Sequence, residues 1–181
     1  MDVDVAQAIA EDRLHALGQR LRHVRAVATL AADVSACLGC QEREVLVAAA
    51  WLHDIGYAPS LVETGLHQLD GARWLAAQGE ARLASLVAHH TCAHYEASLR
   101  GLGDELAKFH DEQSLVSDLL AWCDVHRGPS GETVTVAERL DEVEQRYPGG
   151  HIAPRALRTA EPTLVETCAR VDALLARSAD R

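Results

Sequence analysis

An all-α fold is what this sequence predicts, and three features predict it. Aromatic residues are only 4% of the 181 residues while apolar residues are 48%, so the core must be built mainly from Ala and Leu, which favour helices over strands. Apolar positions recur at intervals of three and four through most of the chain. Gly and Pro fall between these periodic stretches, where helices would stop.

Taken in order, residues 5–17 predict a first helix ending at Gly18. Over 20–38, Val24, Val27, Leu30, Ala31, Val34 and Leu38 form an amphipathic stripe that Gly39 terminates. A third helix runs over 42–54, stopped by Gly56 and Pro59, and two more cover 67–78 and 81–93, parted by Gly79. The stretch 97–112 holds Gly101, Gly103 and several charges, and reads as a surface loop or short helix. Helices over 114–125 and 136–147 follow, the first closed by the turn RGPSGE and the second by PGG. In 154–178, Leu157, Leu164, Cys168 and Val171 share a side, with Pro162 expected to begin a new helix. Only 133–136 alternates like a strand, and it is too short to count as one. No shift in composition marks a boundary. The chain reads as one domain over 1–150, with 151–181 as a C-terminal helical appendage of that same domain.

Seventeen basic against 27 acidic residues leave a net charge of −10, which argues against nucleic-acid polymers and anionic membrane surfaces as partners. A small phosphorylated ligand in a local positive site stays compatible with it. The longest apolar run, 45–52, is too short to cross a bilayer, and the N-terminus shows no basic segment followed by an apolar one. Five cysteines at 37, 40, 92, 123 and 168 are expected to be free thiols in a cytoplasmic protein. Cys37 and Cys40 make a C-x-x-C, without a second pair at zinc-ribbon spacing.

The chemistry lies in polar residues on the apolar stripes, where an unpaired polar group is costly. His23 shares the stripe of Val27 and Leu30, and His53 that of Leu46 and Ala49. Asp54 follows behind Val47 and Ala50. His90 lies behind Leu83, Leu86 and Val87, and Asp124 behind Leu120 and Ala121. Each alone is compatible with a core residue bonded to the backbone. Together they are imidazoles and carboxylates, the ligands that divalent transition metals select, and helical bundles build metal sites from such inward-facing groups.

These residues stand in a recognisable order. Ala50-Trp51-Leu52-His53-Asp54-Ile55-Gly56, with His23 thirty residues upstream, then L-V-A-H-H-T and L-A-W-C-D, resembles the HD-domain superfamily of metal-dependent phosphohydrolases in its HDIG form. The resemblance spans 20–127 and implies an all-α helical bundle. It implies His23, His53, Asp54 and Asp124 as ligands of one metal ion. Members with two ions add two histidines, and Asp54 then bridges the pair as the catalytic carboxylate. Here the second set would be His67, in a segment similar to H-x-x-x-G-A, and one of His89 and His90. The stripe selects His90, because His89 shares its face with Ser85 and Arg82. Gly71, one turn beyond His67, is expected to leave room beside the site. His67 and Asp70, three apart, have the alternative of simply bonding to each other.

His89, His94 and Arg127 are the candidate substrate contacts: His94 sits one turn beyond His90, and Arg127 lies three beyond Asp124. The implied cofactor is divalent metal, two ions of Fe, Mn, Ni, Co or Mg, supplying a metal-bound hydroxide for cleavage of a nucleotide or dinucleotide phosphoester or phosphoanhydride. The resemblance also admits a mixed-valent diiron oxygenase of a small organic or phosphonate substrate, although Tyr57 stands where that branch places histidine. A non-catalytic ligand sensor is a third reading. The sequence contains no P-loop and no G-x-S-x-G. The apolar stripe of 162–178 would serve packing on the same domain or on a second copy in a homodimer.

Overall fold

A computed structural model of the chain describes residues 1–147 and 149–179. Pro148 of the PGG segment and the last two residues of the expected appendage lie outside the described residues. The described residues fold into helices, with no strand among them; the alternating stretch 133–136 yields a single antiparallel bridge, Arg127 to Thr133.

α1 (Val3–Leu14) is capped by Asp2, whose carboxylate accepts from the Val5 N–H. Gly18 does not end it but opens α2 (Gly18–Val34), since the chain turns within three residues after Leu14. A 3₁₀ turn at Ser35–Cys37 leads to α3 (Cys40–Leu52). In α3, Leu46, Ala48, Ala49, Ala50 and Leu52 are all fully buried, because α1, α2 and α8 (Leu115–Val125) surround it; small side chains let those neighbours approach closely. Next come the 3₁₀ turn Ile55–Tyr57, α4 (His67–Ala77) and α5 (Ala81–His89), the last two packed on each other.

The expected helix over 81–93 is broken. Thr91 (φ +51°) and Cys92 (φ +60°) are left-handed, so α5 stops at His89 and α6 (Ala93–Arg100) starts in a new direction. The stretch read as loop or short helix holds the second half of α6 and the four-residue α7 (Gly103–Leu106). Reciprocal capping boxes start α8 (Ser114 with Ser117) and α9 (Val136–Arg146; Thr135 with Glu138).

The last element corrects a boundary. Pro162 begins no new helix; it lies inside a single α10 (Ile152–Ala179). Ala156, Ala160, Leu164, Cys168 and Val171 form one buried stripe across the proline, and packing against α6, α8 and α9 outweighs the lost backbone hydrogen bond. Leu164, Cys168 and Val171 of the 162–178 stripe pack within the chain, while Val165 is exposed. No described helix is long and apolar enough to cross a membrane.

One close approach positions the site. A Cβ on Gly56 would stand 2.0 Å from the His67 carbonyl oxygen and 2.7 Å from the Gly71 N. The HDIG turn therefore lies directly on the backbone that opens α4. Gly71 serves this contact too: a Cβ there would meet Ile55, Gly56 and Val87, so its missing side chain is used by packing and leaves no room beside the site.

Candidate metal centre

Six residues from five parts of the fold converge. His23 projects from the first half of α2, His53 and Asp54 follow the end of α3, and His67 opens α4. His90 follows the end of α5, and Asp124 lies in the last turn of α8. Except for His67, all are buried to within 7% of full exclusion, although each is polar.

Asp54 stands at the middle. One atom from each of His23, His53 and Asp54 lies within 4.8 Å of the others, and the same holds for Asp54, His67 and His90. Asp54 Oδ2 faces His53 Nε2 at 3.4 Å and His23 Nε2 at 3.9 Å, while Oδ1 faces His67 Nε2 at 3.2 Å. The two triads share one carboxylate. Asp124 joins the first: its Oδ1 lies 3.0 Å from His23 Nε2 and 3.8 Å from His53 Nε2, and its Oδ2 accepts from the Thr91 hydroxyl. That hydroxyl is carried by the first of the two left-handed residues, so the kink after α5 turns Thr91 onto Asp124.

The imidazoles are oriented from behind. His53 Nδ1 lies 2.7 Å from the Ala50 carbonyl, His90 Nδ1 2.7 Å from that of Val87, and His23 Nδ1 3.1 Å from that of Gly128. A carbonyl accepts only, so each Nδ1 carries a proton and each ring turns its Nε2 inward. His53 Nε2 is buried with no hydrogen-bond partner. An orphaned ring nitrogen is costly in a core, and a cation among these carboxylates and imidazoles is the group that would satisfy it. The donor set fits divalent metal.

Burial, reinforced by neighbouring imidazoles, pushes His90 down to about 3. Burial likewise lowers His23 against the pull of Asp124. Burial opposes a proton on His53 as well, but the adjacent Asp54 outweighs it and holds that ring above its ordinary value. Burial disfavours the Asp54 and Asp124 carboxylates too, yet Arg20 and His53 hold Asp54 well below the carboxylate range and the imidazoles with Arg139 do so for Asp124.

Several further residues surround the cluster. Arg20 donates to Asp54 Oδ2 at 2.7 Å, and its guanidinium sits 4.1 Å from the Tyr57 ring centroid. Tyr57 in turn stacks on His67, with centroids 4.1 Å apart. Arg139 is buried, 3.8 Å from Asp124 Oδ1, and Arg139 and Arg146 both pair with Glu142. Arg20, Arg139 and Arg146 line one cavity of about 90 Å³ with Asp54, His67, His90 and Asp124. Gln68, buried with an unpaired Oε1, lines it too, and α10 closes it with Ala156, Leu157 and Ala160. Helical spacing from His23 would have put Arg20 one turn away on the same face; its charge alone reads as solvated.

The three expected substrate contacts do not line this cavity. His89 Nε2 lies 2.9 Å from the Phe109 carbonyl and anchors the loop after α7. His94 is exposed beside Tyr95, because the left-handed pair breaks the turn that would have stacked it over His90. Arg127 donates to the Thr133 hydroxyl, because α8 ends at Val125 and its helical register stops there. Asp70 does not bond to His67; it accepts from the N–H groups of Glu63, Thr64 and Gly65 and ties down the loop before α4. The five cysteines are free.

A family model described as HD domain matches residues 20–171, most of the chain. The chain belongs to the HD-domain family. Its match runs past the motif region into α10, the helix that closes the cavity. No curated protein and no solved structure matches the chain. The HD-domain assignment brings a general class with it, a metal-binding helical fold used by metal-dependent hydrolases, and the clustered His and Asp side chains agree with it.

Proposed function

We propose that this HD-domain protein is a metal-dependent phosphohydrolase that cleaves a phosphoester or phosphoanhydride bond of a small phosphorylated metabolite, a nucleotide or dinucleotide. The observation that carries the reading is one small cavity lined by the Asp54, His67 and His90 triad, by Asp124 and by three arginines, with Asp54 shared with the second triad of His23 and His53. Imidazoles and carboxylates are what a pair of divalent ions needs, and guanidiniums are what a phosphate needs.

In this reading His23, His53, Asp54 and Asp124 hold one ion, and Asp54, His67 and His90 the other. Divalent ions held there would raise the acidity of a water and offset phosphate charge, which is the chemistry an anionic electrophile requires. The chain does the rest. The Ala50, Val87 and Gly128 carbonyls keep protons on Nδ1 of the three rings, so Nε2 stays free. Arg139 and Arg146, held by Glu142, present positive charge beside the cluster, while Arg20 neutralises Asp54. Ala156, Leu157 and Ala160 of α10 exclude bulk water from the cavity's apolar wall.

The test is metal analysis of protein purified without chelator, beside a phosphate-release panel of nucleotides. Two transition-metal ions per chain with phosphate release supports the reading. Dioxygen consumption with redox-active iron and no phosphate release would replace it with the oxygenase.

A further inference from the structure

Thr91 holds a backbone conformation that its own side chain makes costly. Its φ of +51° and ψ of +40° are left-handed, a region that glycine enters freely and β-branched residues rarely enter. Cys92 follows at φ +60° and ψ +40°. Glycines would make the same turn without strain, so the turn alone does not account for a threonine at 91. Strain of this kind persists where the surrounding structure enforces it, and it gathers at functional sites.

The side chain has a use there. Its hydroxyl donates to Asp124 Oδ2 across 33 residues of sequence, from the 3₁₀ turn His90–Cys92 to the last turn of α8. Asp124 Oδ1 lies 3.0 Å from His23 Nε2 and 3.8 Å from His53 Nε2, and Arg139 also stands toward Oδ1, at 3.8 Å. Among the described residues, Thr91 is the one hydrogen-bond donor to Oδ2. Without it the carboxylate could turn about its Cβ–Cγ bond, a soft torsion, and Oδ1 would lose its fixed aim at the imidazoles. Thr91 also follows His90 directly, so one peptide unit joins the Asp54, His67 and His90 triad to the hydroxyl that sets Asp124.

We propose that Thr91 is a positioning residue of the metal centre. Its hydroxyl fixes the Asp124 carboxylate so that Oδ1 faces the imidazoles, and the left-handed backbone at 91 delivers that hydroxyl. Thr91 acts through Asp124. The inference rests on the metal-binding part of the proposed function and is independent of which bond is cleaved.

The test is Mn²⁺ titrated calorimetrically into chelator-stripped, dialysed protein, with thermal melts of the metal-free forms. Thr91→Val keeps the branched shape and the strained backbone but loses the donor. Its Mn²⁺ affinity should fall about 10–100-fold, the usual effect of removing a group that orients a metal ligand. Thr91→Ser keeps the hydroxyl and should bind like wild type. Thr91→Gly relaxes the backbone without a hydroxyl, so it should melt above Thr91→Val yet bind Mn²⁺ as weakly. A merely structural threonine would not part stability from affinity in this way. Wild-type affinity in Thr91→Val, or affinities that follow melting temperature across the three variants, overturns the proposal. If Thr91→Val does not fold, the other two decide: affinity kept in Thr91→Ser and lost in Thr91→Gly supports the role, and equal affinities overturn it. Phosphate release from nucleotides is measured alongside. Hydroxyl-dependent affinity without phosphate release from any ester keeps Thr91 and discards the hydrolase; phosphate release with affinity independent of the hydroxyl does the reverse. Wild-type protein that binds no Mn²⁺ removes both.

Discussion

His67 Nε2 lies 3.2 Å from Asp54 Oδ1, the carboxylate oxygen that His53 does not face. This relationship turns a single ligand cluster into two triads. His67→Ala should lower metal stoichiometry from about two ions per chain to about one, with His23, His53 and Asp124 keeping theirs, and activity should fall steeply. Atomic-absorption analysis of the purified variant checks it. Unchanged stoichiometry would remove His67 from the ligands.

His90 and His89 are neighbours with separate anchors. His90 points Nε2 into the cluster from its bond to Val87, whereas His89 bonds to the Phe109 carbonyl. His90→Ala should lower metal content. His89→Ala should keep it and instead cost about 1 kcal/mol of stability for the lost hydrogen bond. Metal analysis and thermal melts of the two variants separate these outcomes, and the opposite pattern would exchange their roles.

The buried half of the site was legible in sequence because burial follows helical period. His23, His53, Asp54, His90 and Asp124 sit on apolar stripes, and all are buried. What periodicity cannot carry is anything past a break in the helix. His94 and Arg127 were placed by counting turns through Thr91–Cys92 and past Val125, where the helical register ends. Nor can it show which charges lie against one another from distant segments. Nothing in the periodicity marks Arg20, Arg139 and Arg146; the pairs of Arg20 with Asp54 and of Arg139 with Asp124, and the Glu142 shared by Arg139 and Arg146, belong to the cavity that all three line. Pro162 failed as a boundary for the same reason, since tertiary packing holds α10 together across it.

The glycine of HDIG carries a steric requirement. Because its Cβ would lie 2.0 Å from a backbone oxygen that no rotamer change can move, Gly56→Ala should cost at least about 3 kcal/mol and separate His67 from Asp54. Denaturant unfolding reads the first effect and metal content the second. Wild-type stability in that variant would mean the turn and α4 are not in contact.

Chelated protein should lose stability as pH falls below about 6.5. The folded His90 takes no proton until about 3, and His23 is also lowered, while unfolded imidazoles protonate near 6.5. Between those values the unfolded chain binds more protons, so stability rises with pH across the window, by on the order of a few kcal/mol. His53, whose proton Asp54 favours, works in the other sense and offsets part of it. Urea midpoints of the chelated protein at pH 7.5, 6 and 4.5 should decline in that order. A midpoint that rises on acidification would contradict neutral, buried His23 and His90.

Asp54 is the residue common to both triads, and its substitution tests the centre most directly. Asp54→Asn keeps the shape while removing the charge that would hold two cations together and that pairs with Arg20. The decisive measurement is metal content of purified Asp54→Asn, with circular dichroism to establish that the helices remain. The shared-carboxylate site predicts loss of bound metal and near-complete loss of phosphate release in a folded protein. Two ions retained per chain, with phosphate released at the wild-type rate, would contradict it.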